Sequence, residues 1–304
     1  MNHPLSGLIA APFTPFNSHG ELALDVVPAL ASSLLANGVL GAFVCGTTGE
    51  GFSLTKEERF QVVEAWQEAR SSDLALIVHV GSQSLEESLE LAHHAQESGA
   101  DAIATIAPSF YKPTGVDDLV EWCARIAAAA PRLPFYYYHM PAMTGVPVSA
   151  TDFIGHAHNR IPTLAGVKFT DEDLMDFAQA RRTAAGKYEI LFGRDEILLA
   201  GLSLGAHCAV GSTYNFAAPL FQRILRNFAD GNLTEARHDQ YKAIQYIRIL
   251  QDHGGLSAGK AVMKMLGIDC GPVRLPLSKL SASREQALFA ALKRSDFSAD
   301  LQVA

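Results

Sequence analysis

Lys168 closes the apolar part of the run Leu164-Ala165-Gly166-Val167-Lys168-Phe169-Thr170. A lysine at the end of a buried strand loses hydration, which disfavours its ammonium form and moves it toward the neutral, nucleophilic amine. That is the setting in which a lysine condenses with a ketone to form a Schiff base. To be largely neutral near pH 7 it must titrate about three units below its usual ~10.4, a shift that burial can supply. The alternative is a strand-end lysine whose ammonium reaches solvent, the ordinary fate of lysines.

Four other segments carry groups of chemical interest. Gly46-Thr47-Thr48-Gly49-Glu50 offers two hydroxyls, flanked by glycines that let backbone N–H groups approach an anion. It suits a carboxylate or a phosphate, and it equally suits a plain strand-to-helix turn. In Tyr136-Tyr137-Tyr138, strand alternation directs Tyr136 and Tyr138 to one face and Tyr137 to the other. Strand propensity alone also accounts for three tyrosines. Gly193-Arg194-Asp195-Glu196 holds adjacent carboxylates of the kind that bind sugar hydroxyls and that also favour the first turn of a helix. Gly211-Ser212-Thr213-Tyr214 adds two further hydroxyls.

The elements that must position these segments follow from periodicity. Strand-like runs over residues 8–10, 41–44, 74–79, 102–106, 135–138, 164–168, 189–192 and 207–210 alternate with amphipathic helical stretches. Three of those helices open on a capping-box pattern: Thr55-Lys56-Glu57-Glu58, Ser84-Leu85-Glu86-Glu87 and Ser149-Ala150-Thr151-Asp152. Strict β-α alternation calls for a parallel sheet, and eight such units predict an α/β fold closed into a (β/α)8 TIM barrel. In that architecture active sites lie at the C-terminal ends of the strands, where all the segments above fall. Beyond Asp230 only helical patterns remain, over 233–251, 257–265 and 283–292, with a Pro-rich connection from Cys270 to Pro276. Residues 1–230 are therefore read as the catalytic barrel. Residues 231–304 are read as a helical extension packed on it or on a partner subunit, because about 70 residues alone make a marginal core.

Composition bounds the function classes. The chain has 304 residues, 48% apolar and 18% charged, with a formal net charge of -8 and no dense Lys/Arg cluster, which argues against a nucleic-acid partner. The cysteines Cys45, Cys123, Cys208 and Cys270 are far apart and read as reduced packing residues, Cys45 and Cys208 within strands. Residues 1–7 lack a basic segment followed by an apolar stretch, and no run approaches the ~18 apolar residues of a membrane span. A soluble cytoplasmic protein with no membrane contact is the expectation. His93-His94 and His156-Ala157-His158 fall away from the strand ends, so no metal site is expected, and no phosphate-loop or dinucleotide fingerprint is present.

Taken in order, the strand-end motifs are similar to those of the pyruvate-dependent class I aldolases, the family of dihydrodipicolinate synthases and N-acetylneuraminate lyases. The resemblance spans nearly the whole chain. It implies that Gly46-Thr47-Thr48-Gly49-Glu50 holds the pyruvyl carboxylate, that Tyr138 transfers the proton, and that Lys168 forms the Schiff base. The lyase branch resembles the chain more closely, through Tyr136-Tyr137-Tyr138-His139-Met140-Pro141, Gly193-Arg194-Asp195-Glu196 and Gly211-Ser212-Thr213-Tyr214-Asn215. There Thr170, Gly193, Asp195, Glu196 and Ser212 would read the hydroxylated tail of the sugar, with Thr47 and Thr48 orienting the carboxylate.

Three positions set the chain apart within that family. Synthases carry an arginine where this chain has Met143, which offers no charge-assisted bond to a second carboxylate. Thr47 stands for a serine of some lyases, and Arg194 adds a cation beside the carboxylate pair. Tyr111 stands where some relatives place an intersubunit tyrosine. The implied activity is reversible retro-aldol cleavage of a sialic acid to pyruvate and N-acetylmannosamine, without metal or cofactor, in a homotetramer. The alternatives are a synthase or another 2-keto acid sugar aldolase, and a pyruvate- or sugar-binding regulator on the same fold.

Overall fold

The structure, a computed structural model, describes residues 5–295 together with Phe297, Asp300 and Leu301. The leader-free reading of residues 1–7 and the extension's limit at residue 304 thus fall partly outside the described residues.

Eight parallel strands close into a barrel in chain order. They are β1 (Gly7–Ala10), β2 (Gly41–Val44), β3 (Ala75–His79), β4 (Ala102–Ile106), β5 (Phe135–His139), β6 (Leu164–Phe169), β7 (Glu189–Phe192) and β8 (Cys208–Gly211). The barrel shuts where β1 pairs β8, from Gly7 against Cys208 to Ala10 against Gly211. The connecting helices are α1 (Val27–Ala36), α2 (Lys56–Ala69), α3 (Leu85–Glu97), α4 (Val116–Ala128), the single turn α5 (Pro141–Thr144), α6 (Ala150–Ala157), α7 (Leu174–Ala180), α8 (Leu198–Ser203) and α9 (Ala218–Ala229). The extension adds α10 (Leu233–Asp252), α11 (Leu256–Met265) and α12 (Ala282–Arg294). All eight strands lie within about two residues of the sequence expectation, and the extension is helical as expected.

Of the three helix starts, only Thr55 and Glu58 form both halves of a capping box: Thr55 Oγ1 accepts from the Glu58 N–H at 3.2 Å and the Glu58 carboxylate accepts from the Thr55 N–H at 2.9 Å. At the second start Ser84 still caps, but Glu87 turns to the Ser82 hydroxyl instead, at 2.6 Å. At the third, Ser149 Oγ accepts from the Asp152 N–H at 2.9 Å without a return bond among the described residues.

The strands are apolar on both faces, as a sheet buried on both sides requires. An outer core lies between strands and helices, and a smaller one fills the barrel, with Ile9, Phe43, Ile77, Tyr136, Tyr138 and Leu191 among its members. The alternation of β5 falls out as expected. Tyr136 and Tyr138 point into the barrel, while Tyr137 points outward and stacks on Phe153 of α6 at 4.2 Å. On β6, Val167 and Phe169 join the outer core. Lys168 is thereby left facing inward. One expectation is corrected: Cys45 is not in a strand but one residue beyond β2, in a left-handed conformation at φ 57°. No helix among the described residues is long and apolar enough to cross a membrane.

Candidate active site

At the C-terminal mouth of the barrel lies a cavity of about 220 Å3. Thr47, Thr48, Tyr138, Lys168, Thr170, Gly193, Asp195, Glu196 and Ser212 all line it, whereas Glu50 of the expected carboxylate loop does not. Arg194 and Met140 line it too. Met143 does not: it lies 63% exposed on α5, outside the lining residues, so its lack of charge is not an observation about this cavity.

Lys168 is 4% exposed. Burial holds its amine below the ordinary lysine range, while the neighbouring Tyr138 and, more weakly, Asp195 pull the other way. Tyr138 is buried, and its hydroxyl oxygen lies 3.2 Å from Thr47 Oγ1 and donates to Met140 Sδ at 3.2 Å. A phenolic hydroxyl is therefore fixed at the junction between Lys168 and the Thr-Thr loop. Thr170, also buried, has an Oγ1 at the cavity wall with no hydrogen-bond partner among the described residues.

The opposite wall is the Asp195–Glu196 turn. Asp195 is buried and its carboxylate accepts from the Thr213 N–H at 3.0 Å and the Thr213 hydroxyl at 2.5 Å. Burial, reinforced by the charge of Glu196, pushes its pKa up to about 6 against those two bonds. Close approach explains the two glycines of this wall. A Cβ on Gly211 would sit 2.0 Å from Asp195 Oδ1, and one on Gly193 would sit 2.2 Å from Thr170 Oγ1. Glu196 remains half-buried, with Arg194 Nε 3.7 Å from its carboxylate, and Arg194 also pairs with Glu172. Ser212 is held through its backbone, whose carbonyl accepts from Asn215 Nδ2 at 2.7 Å; the same amide donates to Ala11 of the β1 loop.

Several supporting residues were not anticipated. Gln240 of α10 donates from Nε2 to the carbonyls of Asp195 and Glu196, at 3.1 and 3.0 Å. Glu50 is buried and points away from the cavity: it pairs with Lys260 of α11 at 2.8 Å and accepts from the Arg274 N–H at 2.8 Å. Lys260 in turn donates to the Thr14 and Pro272 carbonyls. A strand-end rule would have flagged His79, the last residue of β3. Gln240, Lys260 and Arg274 lie on helices and loops of the extension, where no local pattern marks them. Among the described residues no group of His, Cys, Asp and Glu side chains is arranged to hold a metal ion.

A buried lysine beside a phenol that is fixed against a hydroxyl-rich loop, at the mouth of a (β/α)8 barrel, is the arrangement of a class I aldolase of the lyase type. The chain belongs to the dihydrodipicolinate synthetase family, whose model matches residues 4–295. It is 44% identical over 298 residues to the N-acetylneuraminate lyase of Homo sapiens, an alignment covering 96% of this chain and 93% of that one. It superimposes on the N-acetylneuraminate lyase of Proteus mirabilis with a TM-score of 0.95 at 44% identity, over 97% of this chain and 100% of that one. A DHDPS of Cyanidioschyzon merolae, solved with lysine bound, shares the fold with a TM-score of 0.89 at 30% identity, over 96% of this chain and 98% of that one.

Proposed function

We propose that the chain cleaves N-acetylneuraminate reversibly to pyruvate and N-acetylmannosamine. The observation that carries this reading is the convergence of Lys168 and Tyr138 with Asp195, Glu196 and Ser212 on one cavity. A pyruvate-handling centre thus faces a wall of sugar-hydroxyl partners. The lysine amine attacks the C2 ketone of the open-chain sugar and water leaves, forming an iminium. As the C3–C4 bond breaks, its electrons pass to the iminium, giving an enamine. Tyr138 takes the C4 hydroxyl proton and passes it toward the substrate carboxylate, and the carbon at C4 leaves as the aldehyde of N-acetylmannosamine. Protonation of the enamine at C3 and addition of water release pyruvate and restore the amine. Thr47 and Thr48 orient the carboxylate, and Thr170, Gly193, Asp195, Glu196 and Ser212 hold the hydroxylated tail.

The barrel of residues 1–230 carries this chemistry, and the extension of 231–304 braces it. A homotetramer is part of the same reading: Phe110 and Tyr111, 79% and 85% exposed with rings edge-to-face at 4.9 Å, form an apolar surface of the kind that self-association covers. Sedimentation would test it. The four cysteines are free, in keeping with a cytoplasmic setting. The decisive assay is release of pyruvate from N-acetylneuraminate, run beside condensation of pyruvate with aspartate semialdehyde. Faster condensation than cleavage would replace this reading by a synthase.

A further inference from the structure

The tetrapeptide Gly46-Thr47-Thr48-Gly49 is bracketed by two non-glycine residues in the left-handed region, Cys45 at φ 57° and Glu50 at φ 53°. L-residues avoid that region because Cβ crowds the following carbonyl, so the surroundings must hold each of them there. Glu50 is held by its ion pair with Lys260 and by the Arg274 N–H. At Cys45 the handle is the backbone carbonyl. Gly51 crowds it on one side, where a Cβ would come within 1.9 Å of the oxygen. His79 Nδ1 lies 3.0 Å from the same oxygen. A carbonyl only accepts, so Nδ1 carries the proton.

The imidazole is itself fixed. It is 2% exposed, and its ring meets Tyr138 edge-on at 5.9 Å. Its own backbone carbonyl accepts from the buried Arg59 guanidinium, which also donates to Gly81 O at 2.9 Å. Burial, with the Arg59 charge adding to it, keeps the ring neutral. Nε2, the bare acceptor, has no hydrogen-bond partner among the described residues.

We propose that His79 is a positioning residue for the reaction: its Nδ1–H grips the Cys45 carbonyl, holds Cys45 left-handed, and so presents Thr47 and Thr48 to the pyruvyl carboxylate. This rests on the loop's role in the proposed reaction. Without the donor, Cys45 relaxes toward negative φ and the two hydroxyls lose their register, while the Lys168 amine is untouched. Glycine at position 45 would need no grip, because it adopts the left-handed conformation without a Cβ penalty.

The test is borohydride trapping of pyruvate on Lys168, followed against pyruvate concentration. It requires only Schiff-base formation, so a chain that traps pyruvate yet does not cleave N-acetylneuraminate would lose the substrate assignment and leave this inference standing. In His79→Leu the half-saturating pyruvate should rise about tenfold, with the trapping rate at saturation nearly unchanged. His79→Asn, which keeps an N–H donor, should rise less. Cys45→Gly combined with His79→Leu should return to the wild-type half-saturation. Wild-type behaviour of His79→Leu, or a double variant as impaired as the single one, overturns the proposal. If His79→Leu does not fold, the double variant decides. Folding with wild-type half-saturation supports the grip on Cys45, whereas failure to fold shows that the imidazole serves packing and overturns it.

Discussion

The amine of Lys168 lies 3.8 Å from the centre of the Tyr138 ring and 4.0 Å from that of Phe43, wedged between two aromatic faces inside the barrel. The rings exclude water, which favours the neutral amine. Their negative faces favour the ammonium by roughly 0.5–2 kcal/mol. Burial is the larger effect and leaves the pKa lowered. The proton is therefore shed more readily than from an exposed lysine, as the proposed attack on the C2 ketone requires.

That state has a stability cost whose sign is fixed. Because the folded pKa lies below the ordinary 10.5, the unfolded chain binds the proton more tightly. The penalty is full below the depressed pKa and disappears as pH rises past 10.5. Lys168→Met should abolish borohydride trapping of pyruvate and raise the melting temperature at pH 7, with a smaller gain above pH 10.5. Thermal unfolding at the two pH values, with peptide mapping of the adduct, checks both halves. An adduct on another lysine would remove Lys168 from the mechanism.

Tyr138→Phe deletes the hydroxyl held between Thr47 and Met140 but leaves the amine and both rings that flank it. Turnover should fall by about 10²–10⁴-fold, the usual loss for a missing proton-transfer group. Pyruvate trapping should fall far less. Comparing kcat with trapping rate is the measurement, and near-wild-type turnover would exclude the relay.

Asp195 is shifted the other way, from 3.8 to about 6. The folded state binds its proton more tightly, so ionised Asp195 destabilises the protein above about pH 6 and the cost is relieved on acidification toward 3.8. Asp195→Asn should melt higher than wild type at pH 8 and converge with it near pH 4. It should also raise KM for the sugar about tenfold while sparing pyruvate inhibition, and wild-type KM should rise as pH falls through about 6. Equal effects on both ligands would show that the carboxylate does not read the sugar.

Gln240→Ala removes the Nε2 donor shared by the Asp195 and Glu196 carbonyls, the former keeping only its bond from the Leu198 N–H, at a cost of about 1–3 kcal/mol. The turn should loosen, with KM for N-acetylneuraminate rising severalfold and half-saturating pyruvate unchanged. Steady-state kinetics beside the trapping assay separates the two. A change in pyruvate binding alone would show that α10 acts elsewhere.

Much of this was legible in the sequence because it is local. The period of β5 already separated Tyr138 from Tyr137, and β6 carries a single cation, Lys168, next to its last residue. The strand-end rule then placed Thr47, Thr170, Asp195 and Ser212 on one face. What escaped is long-range. Nothing around Gln240 or Lys260 announces a partner in the barrel, and Glu50 looked like part of a carboxylate cradle when its side chain turns outward to the extension. The Ser84 cap misled in part because Glu87 found a nearer hydroxyl in Ser82.

Arg274 reaches back 224 positions to Glu50, so the loop bearing Thr47 and Thr48 leaves the ribosome long before the segment that locks it. A nascent chain stopped after β8 already contains the lysine, the tyrosine and the carboxylate pair, yet it lacks Gln240, Lys260 and Arg274, which contact both walls of the cavity. Such distant closures come late in folding, after the local β-α units have formed. Truncation before α10 is therefore expected to spare the side chains of the site while loosening both of the walls that hold them.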